Sequence, residues 1–218
     1  MNDHWNHVTL CGKAQSEPVL SHVNHNVPFY KFILAVPRLS GQVDALPIIA
    51  SGTQLALAPF SPGDTLTVQG QLRSYNKVMG GAGRLLLTAF AQRLLPPDDS
   101  ENPNVIHLTG AICKPPAFRT TPFGREIADL MLAVNRAFGK SDYIPCIAWG
   151  RTARYAAGLS VGDHLEVQGR FQSREYQKQM PDGTVMNRMA YEVSISRLTC
   201  VKDMPLPAPA ADRENAVQ

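Results

Sequence analysis

A chain of 218 residues with 44% hydrophobic side chains can fill one or two cores. No apolar run approaches the roughly 20 residues that a membrane helix needs, and a net charge of +3 is too mild by itself to argue for a polyanionic partner. The four cysteines (Cys11, Cys113, Cys146, Cys200) form no CxxC pair, and the opening MNDHWNHV lacks the basic-then-apolar order of a secretory signal, so reduced thiols in a cytoplasmic protein are expected.

Taken in order, the first strand is expected at about 5–14, with Gly12 inside it. A second follows at about 28–37, placing Phe32, Leu34 and Val36 on one face. The third ends at Gly52, and a short helix fills about 53–58. Gly63-Asp64 turns the chain into the fourth strand. The fifth, about 84–93, follows a glycine-rich tip at Gly80-Gly81. Then comes LLPPDDSENPN, whose prolines and acidic residues make 94–103 a linker.

The same plan then recurs. Strands are expected at about 104–113 and 126–136, the latter facing Leu130, Leu132 and Val134 one way. A third strand ends at Gly150, a helix spans about 152–158, and Gly162-Asp163 opens the fourth strand. The fifth runs at about 188–199, after Pro181-Asp182-Gly183. Residues 201–218 (VKDMPLPAPAADRENAVQ) lack aromatics to order them and read as a disordered tail.

The recurrence is literal. VTLCGKA (8–14) matches IHLTGAI (106–112), LAVPR (34–38) matches LAVNR (132–136), and IIASG (48–52) matches CIAWG (146–150), each 98 residues on. SPGDTLTVQGQLRS (61–74) matches SVGDHLEVQGRFQS (160–173) at 99. Constant spacing marks a duplication. Charge follows it: residues 1–93 carry 7 Lys+Arg against 4 Asp+Glu, and residues 104–200 carry 12 against 8. Five strands with a helix between the third and fourth is the order of the oligonucleotide-binding barrel. The expected fold is therefore all-β, with two tandem five-stranded barrels at 1–93 and 104–200. Gly12, Gly70, Gly110 and Gly169 suit sharp bends at barrel corners.

The stretch from Asp142 to Lys178 carries the functional signal. Ile144, Cys146 and Ala148 alternate with Tyr143, Pro145, Ile147 and Trp149. Leu165, Val167, Gly169 and Phe171 alternate with a set that includes Arg170, Arg174, Tyr176 and, at the end, Lys178. If the first set of each fills a core, rings and guanidinium groups share an outer face. Unpaired bases offer π-faces and phosphates offer charge, so single-stranded nucleic acid fits that face. Arg136, Lys140 and Arg151 flank the third strand and are candidate phosphate contacts.

The second repeat resembles the bacterial single-stranded DNA-binding protein family through NVIHLTGAI, LAVNR, DYIPCIAWGRTARYAA, VGDHLEVQGRFQSREY and YEVSI. The first repeat keeps LAVPR, IIASG and SPGDTLTVQGQLRSY. The resemblance implies sequence-tolerant binding of single-stranded DNA in replication, recombination and repair, with bases stacked on Tyr143, Trp149 and Tyr176. It also implies four barrels around DNA, so a two-barrel chain is expected to be a homodimer, associated with the nucleoid. In the first repeat Ala45, Ser51 and Lys77 stand at the stacking positions, while Arg73, Tyr75 and Lys77 line the outer side of strand four. Binding DNA and shaping the dimer are both open to that barrel. Family members carry an acidic C-terminal tip ending in an aromatic residue, which recruits partners; RENAVQ does not match it.

Other chemistry finds little footing. His4, His7, His22 and His25 lack a cysteine or carboxylate companion and are expected to be solvated, the latter two in a loop, with no metal bound. Neither GxSxG nor GxxxxGK[ST] occurs, and no paired carboxylates stand at a catalytic spacing, so neither enzyme activity nor a cofactor is expected. Two rival readings are an accessory replication module acting through protein contacts and an RNA-binding barrel.

Overall fold

The computed structural model describes residues 6–79, 82–98, 102–136, 139–179 and 183–201. The first half forms β1 (Asn6–Ala14), β2 (Val19–Asn24), β3 (Val27–Pro37), β4 (Val43–Ser51), α1 (Gly52–Leu57), β5 (Thr65–Met79) and β6 (Ala82–Leu95). The second forms β7 (Asn104–Ile112), β8 (Ala117–Thr120), β9 (Glu126–Asn135), β10 (Ser141–Trp149), α2 (Gly150–Ala157), β11 (His164–Gln179) and β12 (Val185–Val201).

Each half closes on itself. β1 pairs with β3 and β5, β3 with β4, β4 runs parallel to β6, and β6 returns to β5. The circuit β7–β9–β10–β12–β11–β7 repeats this order, again with one parallel contact. Closure removes sheet edges. These are two oligonucleotide-binding barrels in tandem. Alternation fills them: Phe32, Leu34 and Val36 are buried in the first, and Leu130, Leu132 and Val134 in the second.

The structure departs from the sequence reading in its hairpins. β2 and β8 were not expected. Every residue of both is exposed, so no alternation of burial shaped their composition. The β2–β3 turn puts His25 (φ 46°) and Asn26 (φ 61°) in the left-handed region. Such turns usually announce themselves with glycine, and this one does not. His22 accordingly lies on a strand, not in a loop. The fifth strands also run further than expected, as β6 (Ala82–Leu95) and β12 (Val185–Val201). The tail beyond Val201, the tip at Gly80-Gly81 and His4 lie outside the described residues.

Gly70 and Gly169 sit where β5 slips register against β6 and β11 against β12. A Cβ there would overlap the carbonyl oxygen of Phe90 or Ser194. Close backbone approach, rather than a special φ, requires glycine.

The two barrels join through β1 and β7, which pair antiparallel with Val8 opposite Ile106. Those residues are equivalents in the duplication, so a pseudo-twofold axis passes through their pair. The axis is obeyed at a distance by two fully buried carboxylates. Asp44 of the first barrel accepts from the Ser173 backbone N–H (2.7 Å) and hydroxyl (3.1 Å). Asp142 of the second accepts from the Ser74 N–H at 2.6 Å. Each is neutralised by arginine: Arg38 at 2.6 Å on Asp44, and Arg136 (2.8 Å) and Arg73 (3.1 Å) on Asp142.

Candidate nucleic-acid interface

β10 lays out the wall of the second barrel. Ile144, Cys146 and Ala148 are buried, while Tyr143 is 47% and Trp149 37% exposed. Burial raises the Cys146 thiol above its usual range and keeps it out of surface chemistry. Trp149 ends the strand and precedes α2, which anchors itself by burying Ala153 and Ala156. The indole Nε1 donates to Ser194 Oγ on β12 at 3.2 Å. An indole pinned by its edge loses less freedom when a base stacks on it.

Tyr176 lies further out, on the β11–β12 arm. It is half-buried, with the Arg174 guanidinium 5.7 Å from its ring centroid. It lines a cleft of about 220 Å³ between the barrels, with Arg84, Leu86, Pro145, Tyr191 and Glu192. Arg84 spans the two barrels by donating to the Met189 carbonyl at 2.7 Å.

The basic residues separate into two groups. Arg170 is exposed and donates to Gln172 Oε1 at 3.3 Å. Partial burial of its head group, and then the nearby Arg38 charge, lower its pKa; it remains a cation. Arg174 keeps 49% of its side chain exposed, with a loose ion pair to Glu192 at 3.6 Å. Lys140 and Arg151 are exposed at the two ends of β10. Lys178 and Lys77 continue β11 and β5, but their side chains lie outside the described residues.

Arg136 and Arg73 form the other group. Both point at Asp142. The Arg136 Nε–H is not aligned with the carboxylate, so that 2.8 Å contact is ionic rather than a hydrogen bond. Sequence reasoning weighed Arg136 as a phosphate contact and set Arg73 on the outer side of the fourth strand, because Asp142 could not be seen facing Ser74 from 68 residues away.

The first barrel holds rings that sequence reasoning missed. His22 stacks on Phe29 (centroids 5.0 Å, 11°), and Phe29 meets Phe90 at 5.6 Å. The Arg73 guanidinium lies 5.9 Å from the Phe90 centroid. Tyr75 is exposed nearby, with partial burial raising its phenol pKa. One signal was available: Phe29 has the parity opposite to Phe32, and so had to leave the core. Among the described residues no group of three or more His, Cys, Asp or Glu side chains could hold a metal ion.

Residues 103–201 match the pattern of the single-strand binding protein family. That match falls on the second barrel. Among its relatives is single-stranded DNA-binding protein A of Bacillus subtilis (strain 168), 39% identical over 83 residues, covering 35% of this chain and 48% of that protein. Single-stranded DNA-binding protein 3 of Clostridium acetobutylicum is 38% identical over 88 residues, covering 37% and 60% respectively. The chain thus spans about half the length of the first of these. The fold likeness reaches further than the family match. The wild-type single-stranded DNA binding protein from Thermus aquaticus superposes with a TM-score of 0.73 at 23% identity, over 94% of this chain and 97% of that one. Both barrels therefore share that architecture, while the family signature resides in the second.

Proposed function

We propose that this chain binds single-stranded DNA without sequence preference and keeps it from re-pairing and from nucleases during replication, recombination and repair. One observation carries the reading: Tyr143 and Trp149 stand half-exposed on the outer wall of the single-strand binding family barrel, beside Arg170 and Arg174 on β11. Bases stack on the rings, Arg170 and Arg174 meet the phosphates, and Lys140 and Arg151 guide the strand past β10. Stacking tolerates any base because every base has a π-face. The relatives named above as single-stranded DNA-binding proteins support the substrate. Binding is passive and needs no reaction at the site. No helix among the described residues is long and apolar enough to cross a membrane; we place the protein in the cytoplasm on the strength of its relatives. Two chains pairing would assemble four barrels around DNA.

The test is an anisotropy titration of dye-labelled oligo-dT at several salt concentrations, using wild type and Trp149→Ala, with indole emission of the wild type followed in parallel. Stacking on Trp149 quenches its indole emission. Trp149→Ala should bind tenfold or more weakly at fixed salt, because one stacked ring is worth roughly 1–3 kcal/mol. Its salt slope should hardly change. Emission that stays bright on adding oligo-dT would favour a module working through protein contacts. A matched RNA oligomer that outcompetes the DNA would make this an RNA-binding barrel.

A further inference from the structure

The rings of the first barrel are not scattered. Phe90 sits opposite Ile49 in the parallel pair and opposite Gln71 in the antiparallel pair. Ser194 sits opposite Ile147 and Arg170 in the same two pairs. Ile49 and Ile147 are equivalents in the duplication, as are Gln71 and Arg170. Two independent registers therefore put Phe90 and Ser194 in one place on their barrels. By the same logic Phe29 faces Ser51, where Ile127 faces Trp149.

The two walls are thus transpositions of each other. Across three strands the second barrel reads Ile127, Trp149, Ser194, with one large ring in the middle. The first reads Phe29, Ser51, Phe90, with two smaller rings flanking a small residue, 5.6 Å apart. The neighbouring strand is transposed as well. The first barrel has Gln71 and Arg73 where the second has Arg170 and Gln172. In each the arginine donates to its glutamine, Arg73 to Gln71 and Arg170 to Gln172. Loss of an aromatic at Ser51 is therefore matched by gain of aromatics beside it.

These rings do no core work. The core side of β3 is Phe32, Leu34 and Val36, and Phe29 lies on the other parity. Instead His22, Phe29, Phe90 and Arg73 form one row across β2, β3, β6 and β5. Aromatic faces in a row suit stacked bases, and the Arg73 guanidinium, held by Asp142, closes one end of the row against Phe90. The row also meets the second barrel: Arg73 reaches Asp142, and the next residue, Ser74, accepts from the Tyr143 N–H at 2.7 Å. A strand leaving Tyr143 has Arg73 and then Phe90 ahead of it.

We propose that the first barrel carries its own base-stacking platform, built on Phe90 and Phe29 with Arg73 at its end, which continues the path of single-stranded DNA from the second barrel. This rests on the single-stranded DNA reading above. Two measurements on the full chain test it. In a Trp149→Tyr background, Phe90→Trp places an indole on the platform. Oligo-dT should quench the added emission; no quenching at saturating DNA overturns the platform. In the otherwise native chain, Phe90→Ser gives the first barrel the second barrel's residue. It should weaken binding about tenfold and shorten the length of dT covered per chain. Phe90→Leu keeps apolar volume but loses the flat ring. Weakening by Leu as well as Ser supports stacking; native affinity with Leu, at an unchanged melting temperature, reduces Phe90 to packing. If Trp149→Ala weakens binding and neither Phe90 variant does, the platform fails while the DNA reading stands. If none of the three weakens binding, the DNA reading fails first and the platform with it.

Discussion

Arg136 and Arg73 converge on one carboxylate that has no exposure to solvent. An arginine held this way stabilises the structure more than it attracts phosphate, because removing it leaves a buried charge uncompensated. Arg136→Ala should therefore cost about 1–2 kcal/mol, discounted for its partly exposed side chain and for Arg73 sharing the load. The salt slope of DNA binding should stay almost unchanged. Arg174→Ala should do the reverse, reducing the slope by about 0.7 with little change in melting temperature. A denaturant melt and a salt titration of each variant separate the two roles. The thiols give a second check. Burial raises the pKa of Cys146 and, less completely, of Cys113, so both hold less thiolate at pH 8 than a free cysteine. Cys146 should resist thiol reagents until the chain unfolds, while Cys113 and Cys200, partly exposed, should label slowly in the native protein.

At the scale of elements, β10 and β11 were legible because each obeys a period of two with one face in a core. Trp149 and Tyr143 followed from that period alone. β2 and β8 were not legible, since strands exposed on every residue leave no alternation to read. The glycines fall between these cases. Their place inside strands marked bends, but only the structure shows what would be struck. Gly169→Ala should drive a methyl group into the Ser194 carbonyl and destabilise by about 1–3 kcal/mol. Gly158→Ala, with ordinary φ and only the Tyr155 carbonyl at 3.6 Å, should be close to neutral. Urea midpoints of the two variants decide the comparison. Because Ser194 also holds Trp149, Gly169→Ala should weaken DNA binding as well.

For the whole molecule, the clasp between barrels matters most. Asp44 holds Ser173 and Arg38, and Arg38 also donates to the Ser173 carbonyl at 3.1 Å. Asp142 holds Ser74, Arg73 and Arg136 from the other side. Together with the β1–β7 pairing these contacts fix how the outer wall of one barrel faces that of the other. Replacing both carboxylates, Asp44→Ala with Asp142→Ala, strands buried N–H groups and arginines. Each loss should cost about 3 kcal/mol. The two barrels should then unfold in separate urea transitions where the native chain shows one. The proposed four-barrel assembly makes a further prediction. Sedimentation equilibrium should return twice the chain mass, and a single-chain mass would remove it.

The sequence by itself determined the duplication, the five-strand order, the inward residues of β3 and β10, and the candidacy of Tyr143 and Trp149, whereas Ile147, expected on the outer face of β10, is buried. All of these depend on spacing along the chain and on which alternate side chains avoid water. Only the tertiary structure decided that Arg73 and Arg136 serve Asp142, that Phe29 meets Phe90, and that Tyr176 borders a cleft between barrels. The Arg136 contact is local to one hairpin, but the others join residues 60 or more positions apart or strands brought together only when the barrels close and dock. Periodicity fixes which way a side chain points; only closure fixes what it meets.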